Sequence, residues 1–200
     1  MRTRRARGTS LVELLVSVLF LGLFTGVLHQ FCRTMLRGVR VLEVACEAQE
    51  AARIGMELMV RDLRGAGFSP RRTIAAGVRA AQRDAVEIVS DLNGDGDTDD
   101  RNEVIAYALN HAQHTLTRTM GNAAPQPMLA DVAPDGLQFT YFGEDGARIA
   151  LVDGAVGAAD RTRIRRVDVA LSIETPHPDP AYAGPIRSRQ TGSAWLRNGP

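Results

Sequence analysis

Residues Leu11–Leu28 read LVELLVSVLFLGLFTGVL, eighteen positions that carry a single charge, Glu13. An apolar run of this length predicts a helix just long enough to span a bilayer. The four arginines before it (Arg2, Arg4, Arg5, Arg7) fall within the first eight residues, which hold no acid. Such a bias keeps the N-terminus in the cytoplasm and sends the chain beyond the run into the periplasm. An ordinary secretory signal has a shorter apolar region, cut after it at a small-residue site. Here the run is followed by His29-Gln30-Phe31-Cys32-Arg33, with no such site. A plain signal anchor accounts for the run but not for Glu13. A carboxylate deep in a bilayer costs roughly 2.5–3.5 kcal/mol on insertion scales, so an intramembrane acid points to a function and a partner.

Cutting the chain after Gly8 supplies that partner. The new α-amine on Thr9 lies four residues before Glu13, one helical turn away. Amine and carboxylate can then neutralise one another within a subunit or between stacked neighbours. The stretch Arg7-Gly8-Thr9-Ser10-Leu11-Val12-Glu13-Leu14-Leu15-Val16 resembles the class III prepilin signal of type IV pilins and type II secretion pseudopilins. The resemblance rests on a short basic leader, glycine before the cut, an acid at the fifth mature position and an apolar run. It implies cleavage after Gly8 by a prepilin peptidase, methylation of Thr9 and an assembly role for Glu13. The family's usual first mature residue is phenylalanine. Thr9 departs from it, which bears on methylation more than on cleavage.

The helical pattern continues past the apolar run. Phe31, Met35, Val39, Leu42, Ala45, Ala52, Met56, Met59 and Leu63 recur at steps near three to four, with charged residues over much of the remaining surface. No proline interrupts Thr9 to Ser69, and Gly65-Ala66-Gly67-Phe68-Ser69-Pro70 reads as a stop. The predicted helix, about 9–64, is about 55 residues and about 83 Å long. Its first half is bare and its second half packs on a head; a coiled-coil stalk is the alternative. Gly22 and Gly26 are weak points in the apolar half, costing about 1 kcal/mol each against alanine. Asp62-Leu63-Arg64 followed by Ala66-Gly67-Phe68 resembles the helix end of PilW-type minor pilins. J-type pseudopilins of type II secretion systems have a similar helix end, usually without the Ala-Gly-Phe.

Alternating segments predict a β-rich head. They are Val86–Val89, Val104–Leu109, Thr115–Arg118, Leu137–Phe142, Ile149–Val152 and Ile164–Ile173. Glu144-Asp145-Gly146 predicts a hairpin turn between Leu137 and Val152. The ending Trp195-Leu196-Arg197-Asn198 resembles the terminal strand of PilW-like and J-type heads. The expected fold is α+β: a type IV pilin fold, in which an antiparallel sheet covers the stripe on the second half of the helix.

One loop has metal-ligating composition. In Asp91-Leu92-Asn93-Gly94-Asp95-Gly96-Asp97-Thr98-Asp99-Asp100, residues Asp91, Asn93, Asp95, Gly96 and Asp99 match positions one, three, five, six and nine of a calcium hand. The candidate ligands for Ca2+ are Asp91, Asn93, Asp95, Asp97 and Asp99. Position twelve is Asn102 rather than glutamate, Glu103 comes one residue late, and the flanks read as strands. A solvated acidic loop and a calcium site both stay open. Similar loops recur in PilW-like heads, as the resemblance implies.

Other chemistry finds little support. There is no nucleophile elbow, phosphate-binding glycine loop or His-Glu-x-x-His pair. His111 and His114 read as surface residues. Cys32 and Cys46 stand fourteen positions apart, about 21 Å along one helix, whereas a disulfide needs Cα atoms within about 7 Å. They cannot pair within a subunit, which leaves two unpaired thiols or a bridge between subunits. At 44% apolar residues the chain is not of disordered composition. Of 24 basic side chains four lie in the leader, and removing them leaves 20 against 23 acidic ones. A nucleic-acid binder is not expected, because the excess positive charge departs with the leader. Pro176–Pro185 reads as a rigid loop before the last strand.

The expected organisation is a leader over 1–8, a transmembrane and assembly half-helix over 9–34, and a periplasmic head over 35–200. By its resemblance the chain is expected to be a minor pilin rather than an enzyme. It would leave the inner membrane for a pilus filament on the cell surface and sit in a tip or priming complex. Its implied partners are prepilin peptidase, membrane lipid, major and minor pilins, the inner-membrane assembly platform and a tip adhesin. The alternatives are a J-type minor pseudopilin and a calcium-dependent adhesive domain on an anchor.

Overall fold

Sixty-one residues without proline (Thr9–Ser69), ending in two glycines and followed by a proline, leave the N-terminal third no reason to break its hydrogen-bond ladder. In the computed structural model, which describes residues 10–98, 100–179 and 182–196, that third is one helix, α1 (Leu11–Gly65, 55 residues). Polar side chains in its apolar half are satisfied locally. Ser17, Thr25 and Thr34 donate to the carbonyls of Glu13, Leu21 and Gln30 at 2.8, 2.7 and 3.0 Å.

The head is two antiparallel sheets. The first is a five-stranded meander of β1 (Val78–Ala81), β2 (Ala85–Val89), β3 (Val104–Asn110), β4 (Thr115–Met120) and β5 (Gln126–Leu129). The second comprises β6 (Val132–Phe142), β7 (Arg166–Thr175) and β8 (Ile186–Trp195), in that order, with a four-residue helix α2 (Ala158–Arg161) before β7. The alternation predicted for β7 is realised: Val167, Val169, Leu171 and Ile173 are all buried. Their inward face meets α1, which lies against β7 and β8 and touches β5. From α1 come Ala48, Ala52, Met56, Met59 and Leu63, joined in the core by Tyr107, Leu116, Leu137, Phe139 and Tyr141. Tyr141 also ties the sheets together by donating to the Gln82 carbonyl at 2.7 Å.

The stripe is therefore covered only in part. Met35, Val39 and Leu42 are exposed, and burial on α1 starts at Ala48. One further expectation is corrected. The turn at Glu144-Asp145-Gly146 forms, with Gly143 N–H donating to the Ala147 carbonyl at 2.9 Å. However, Ile149–Val152 is not a strand. After Ile149 N–H bonds to Tyr141, the chain turns at Asp153-Gly154 and passes on to β1 through a Val156-to-Ala81 bond. Val152 is left exposed, and β6 takes β7 as its full partner. Strands β1 and β5 were not expected; neither alternates in hydropathy, and each is only four residues long.

The helix end is fixed by backbone and charge together. Gly67 N–H donates to Val89 and Asp91 N–H to Phe68, at 2.8 and 2.7 Å. Gly77 passes so close that a Cβ on it would lie 2.6 Å from Gly67 N and 2.8 Å from the Ala66 carbonyl carbon. One turn earlier, the buried Asp62 carboxylate accepts from Tyr107 Oη at 2.7 Å and from Arg118 Nη2 at 2.9 Å. Burial, followed by the Asp62 contact, raises the Tyr107 phenol above its ordinary pKa, so it stays a donor. Asp62 thus joins α1 to β3 and β4.

Two substitutions test this junction by denaturant unfolding. Asp62→Ala leaves a part-buried guanidinium without its carboxylate and is expected to cost about 3 kcal/mol. Asp62→Asn keeps an acceptor for the tyrosine and is expected to cost less. Gly77→Ala places a methyl against main-chain atoms that no rotamer change can clear, with an expected loss of about 2 kcal/mol.

Candidate functional site

The free part of α1 is the largest chemical feature of the molecule. Every large apolar side chain from Leu11 to Val39 is exposed, from 46% at Val16 to 76% at Leu11. Its most apolar 18-residue window has a mean hydropathy of 2.4 and no buried residue, so by length and composition it can cross a membrane. An uncovered surface of this extent calls for lipid or other helices around it. Gly22 and Gly26 share one face with Leu23, Val27 and Phe31, and a Cβ at either glycine would meet nothing within 4 Å.

Glu13 lies in the first turn of α1, exposed. Among the described residues its carboxylate has no hydrogen-bond or ion-pair partner. Gly8 and Thr9, the predicted processing residues, fall outside the described residues. Further along, Arg37 approaches Asp179 of the proline-rich loop at 3.8 Å, and His177 stacks near Tyr182 with ring centroids 4.8 Å apart. That loop therefore reaches the neck of the helix. Cys32 and Cys46 are both free and exposed on α1.

The acidic loop joins β2 to β3. Its backbone is shaped by its own side chains: Asp91 Oδ1 accepts from Gly94 N–H at 2.7 Å, Asn93 Oδ1 from Asp95 N–H at 2.9 Å, and Asp95 Oδ1 from Asp97 N–H at 3.0 Å. Gly96 takes φ +100°, which a residue with a side chain seldom adopts. The Asp97 N–H first, then the Asn93 side chain, hold the Asp95 carboxyl below its ordinary pKa. Of the five predicted ligands, Asp95 and Asp97 are brought together. Asp91 is fully buried and braces the loop, its Oδ2 3.2 Å from Ser69 Oγ. The Asn93 amide donates to Asp95 and Asp100, each at 2.8 Å. Asp99 lies outside the described residues.

The residue that completes this group stands outside the five predicted ligands, one place beyond loop position twelve. Glu103, at the foot of β3, is 2% exposed, and its Oε1 accepts from Leu92 N–H at 2.7 Å and Asn93 N–H at 3.3 Å. Among the described residues its Oε2 is buried without a hydrogen-bond partner, and one oxygen from each of Asp95, Asp97 and Glu103 falls within 4.8 Å of the others. The available signal was its place, one residue beyond the twelfth loop position. His111 and His114 occupy the β3–β4 turn, where His111 Nε2 lies 2.6 Å from Asp84.

No family model matches the chain, and no curated protein matches it. Among solved structures, a type IV-like pilin from Thermus thermophilus is similar at 14% sequence identity, over 75% of this chain and 97% of that one, with a TM-score of 0.43. So distant a likeness decides nothing by itself, and the functional reading rests on this chain's own residues.

Proposed function

We propose that this chain is a type IV pilin-like subunit, cut after Gly8 and built into a filament through the exposed half of α1. One observation carries the reading: a continuous helix whose apolar residues from Leu11 to Val39 are uncovered, with Glu13 the single charge in its membrane-length run. In the membrane, lipid covers this surface. On assembly, the helices of neighbouring subunits replace lipid, and no net apolar exposure results. The Glu13 carboxylate is neutralised by the amine of Thr9 in its own subunit or in a neighbour. Outside such a pairing it carries the insertion penalty of a lone acid.

Within this class the chain reads as a minor pilin of a tip or priming complex. The Asp62-Leu63-Arg64 and Ala66-Gly67-Phe68 motifs support that assignment, and their residues form the helix-to-head junction. A J-type pseudopilin would share the helix and the head. Copy number in sheared pili separates the two: a few copies per filament fit the minor pilin, and none at all, with loss of protein secretion on deletion, fits the pseudopilin.

The central mechanism is tested by Glu13→Ala. The variant is expected to insert into the inner membrane at wild-type levels and to fall at least tenfold in sheared filaments. Incorporation at the wild-type level would overturn the amine–carboxylate pairing.

A further inference from the structure

We infer that the β2–β3 loop is a binding site for one calcium ion, held by the carboxylates of Asp95, Asp97 and Glu103. Clustered surface acids alone would not support a site, because water solvates them. Glu103 is different. Its side chain is almost wholly removed from water, and one of its oxygens is engaged by two backbone N–H groups while the other has no hydrogen bond among the described residues. A buried carboxylate oxygen without a donor is costly to keep, and its place in the group with Asp95 and Asp97 identifies what it awaits. Three carboxylates drawn this close repel one another unless a cation stands between them.

The donor set selects the ion. All three ligands are oxygens, which suits a hard cation, and neither histidine nor cysteine belongs to the group. Ligand oxygens around calcium lie at about 2.3–2.6 Å from the ion, so two on opposite sides are up to about 5 Å apart, a span that includes the 4.8 Å limit here. An exposed loop with further carboxylates and carbonyls can supply an irregular shell of six to eight oxygens, whereas magnesium demands a near-ideal octahedron. Glu103 takes the part of the missing acid at position twelve, one residue later, because the loop runs into a strand rather than a helix.

The ion would fasten more than the loop. Asp91 N–H bonds to Phe68, Asp91 Oδ2 accepts from Ser69, and Arg71 donates to the Asp95 carbonyl at 2.9 Å. The site therefore sits against the segment that follows α1, and occupancy should stiffen the helix-to-head junction. This inference is independent of filament assembly, since it rests on the head alone.

The test uses the full chain in detergent micelles, stripped with EDTA and titrated with CaCl2 or MgCl2 by calorimetry and thermal unfolding. The wild type is expected to bind one calcium per chain and to gain several degrees in Tm at millimolar calcium, with a smaller gain from magnesium. Glu103→Gln retains an oxygen for Leu92 and Asn93 N–H and removes the charge. It is expected to weaken calcium binding at least tenfold while matching or exceeding wild-type Tm in EDTA. Asp97→Asn is expected to behave alike and carries the test if Glu103→Gln does not fold. No calcium-dependent heat or Tm shift in the wild type would overturn the site. Unchanged binding in the variants, or magnesium outperforming calcium, would overturn the ligand set or the ion.

Discussion

A helix of 55 residues is about 83 Å long, and a head built from eight strands covers only the stretch after its midpoint. This excess length governs the molecule. The covered part needs a sheet with a continuous apolar face, which the alternation of β7 supplies. The uncovered part is apolar around its circumference, as a helix set in lipid or among other apolar helices would have to be. One unbroken element thus combines two kinds of surface. Its composition changes accordingly, from an almost uncharged run before Leu28 to a mixture of arginine, glutamate and alanine after it.

A single helix held by one stripe could slide or roll on its sheet, since apolar contact is non-directional. The Asp62 carboxylate removes that freedom. It fixes the helix to Tyr107 and Arg118 on two adjacent strands and so sets both rotation and axial position. Farther on, the close pass of Gly77 over Ala66 and Gly67 ends the helix against the edge of the first sheet. Directional contacts are concentrated at this end, while the opposite end of the packed segment is held by apolar contact and by the long Arg37–Asp179 approach.

Much of this architecture was legible in the sequence, for physical reasons that differ by element. The helix could be read because proline was absent and the apolar period persisted, and β7 because a buried strand face imposes a period of two. Ile149–Val152 misled because local alternation says nothing of which neighbour is available; β7 occupied the edge of β6 and the segment was diverted to β1. The short strands β1 and β5 derive their order from pairing with their chain neighbours β2 and β4, at the two edges of the sheet, and not from a hydropathy period of their own. Glu103 falls outside the loop template, which counts positions and cannot register that a residue at the foot of a strand is buried. Asp62 is legible in the sequence only as part of the Asp62-Leu63-Arg64 motif. Its physical task depends on Tyr107 and Arg118, 45 and 56 residues away.

The point at which burial begins on the helix has a geometric consequence. From Leu11 to Arg40 the exposed segment is about 45 Å long at 1.5 Å per residue, whereas the hydrocarbon core of a bilayer is about 30 Å thick. Set upright in a membrane, the helix would hold its packed segment about 15 Å clear of the lipid tails. That gap would contain Arg33, Arg37 and Arg40, with Asp179 of the proline-rich loop at Arg37. The head would then ride above the surface on a charged collar.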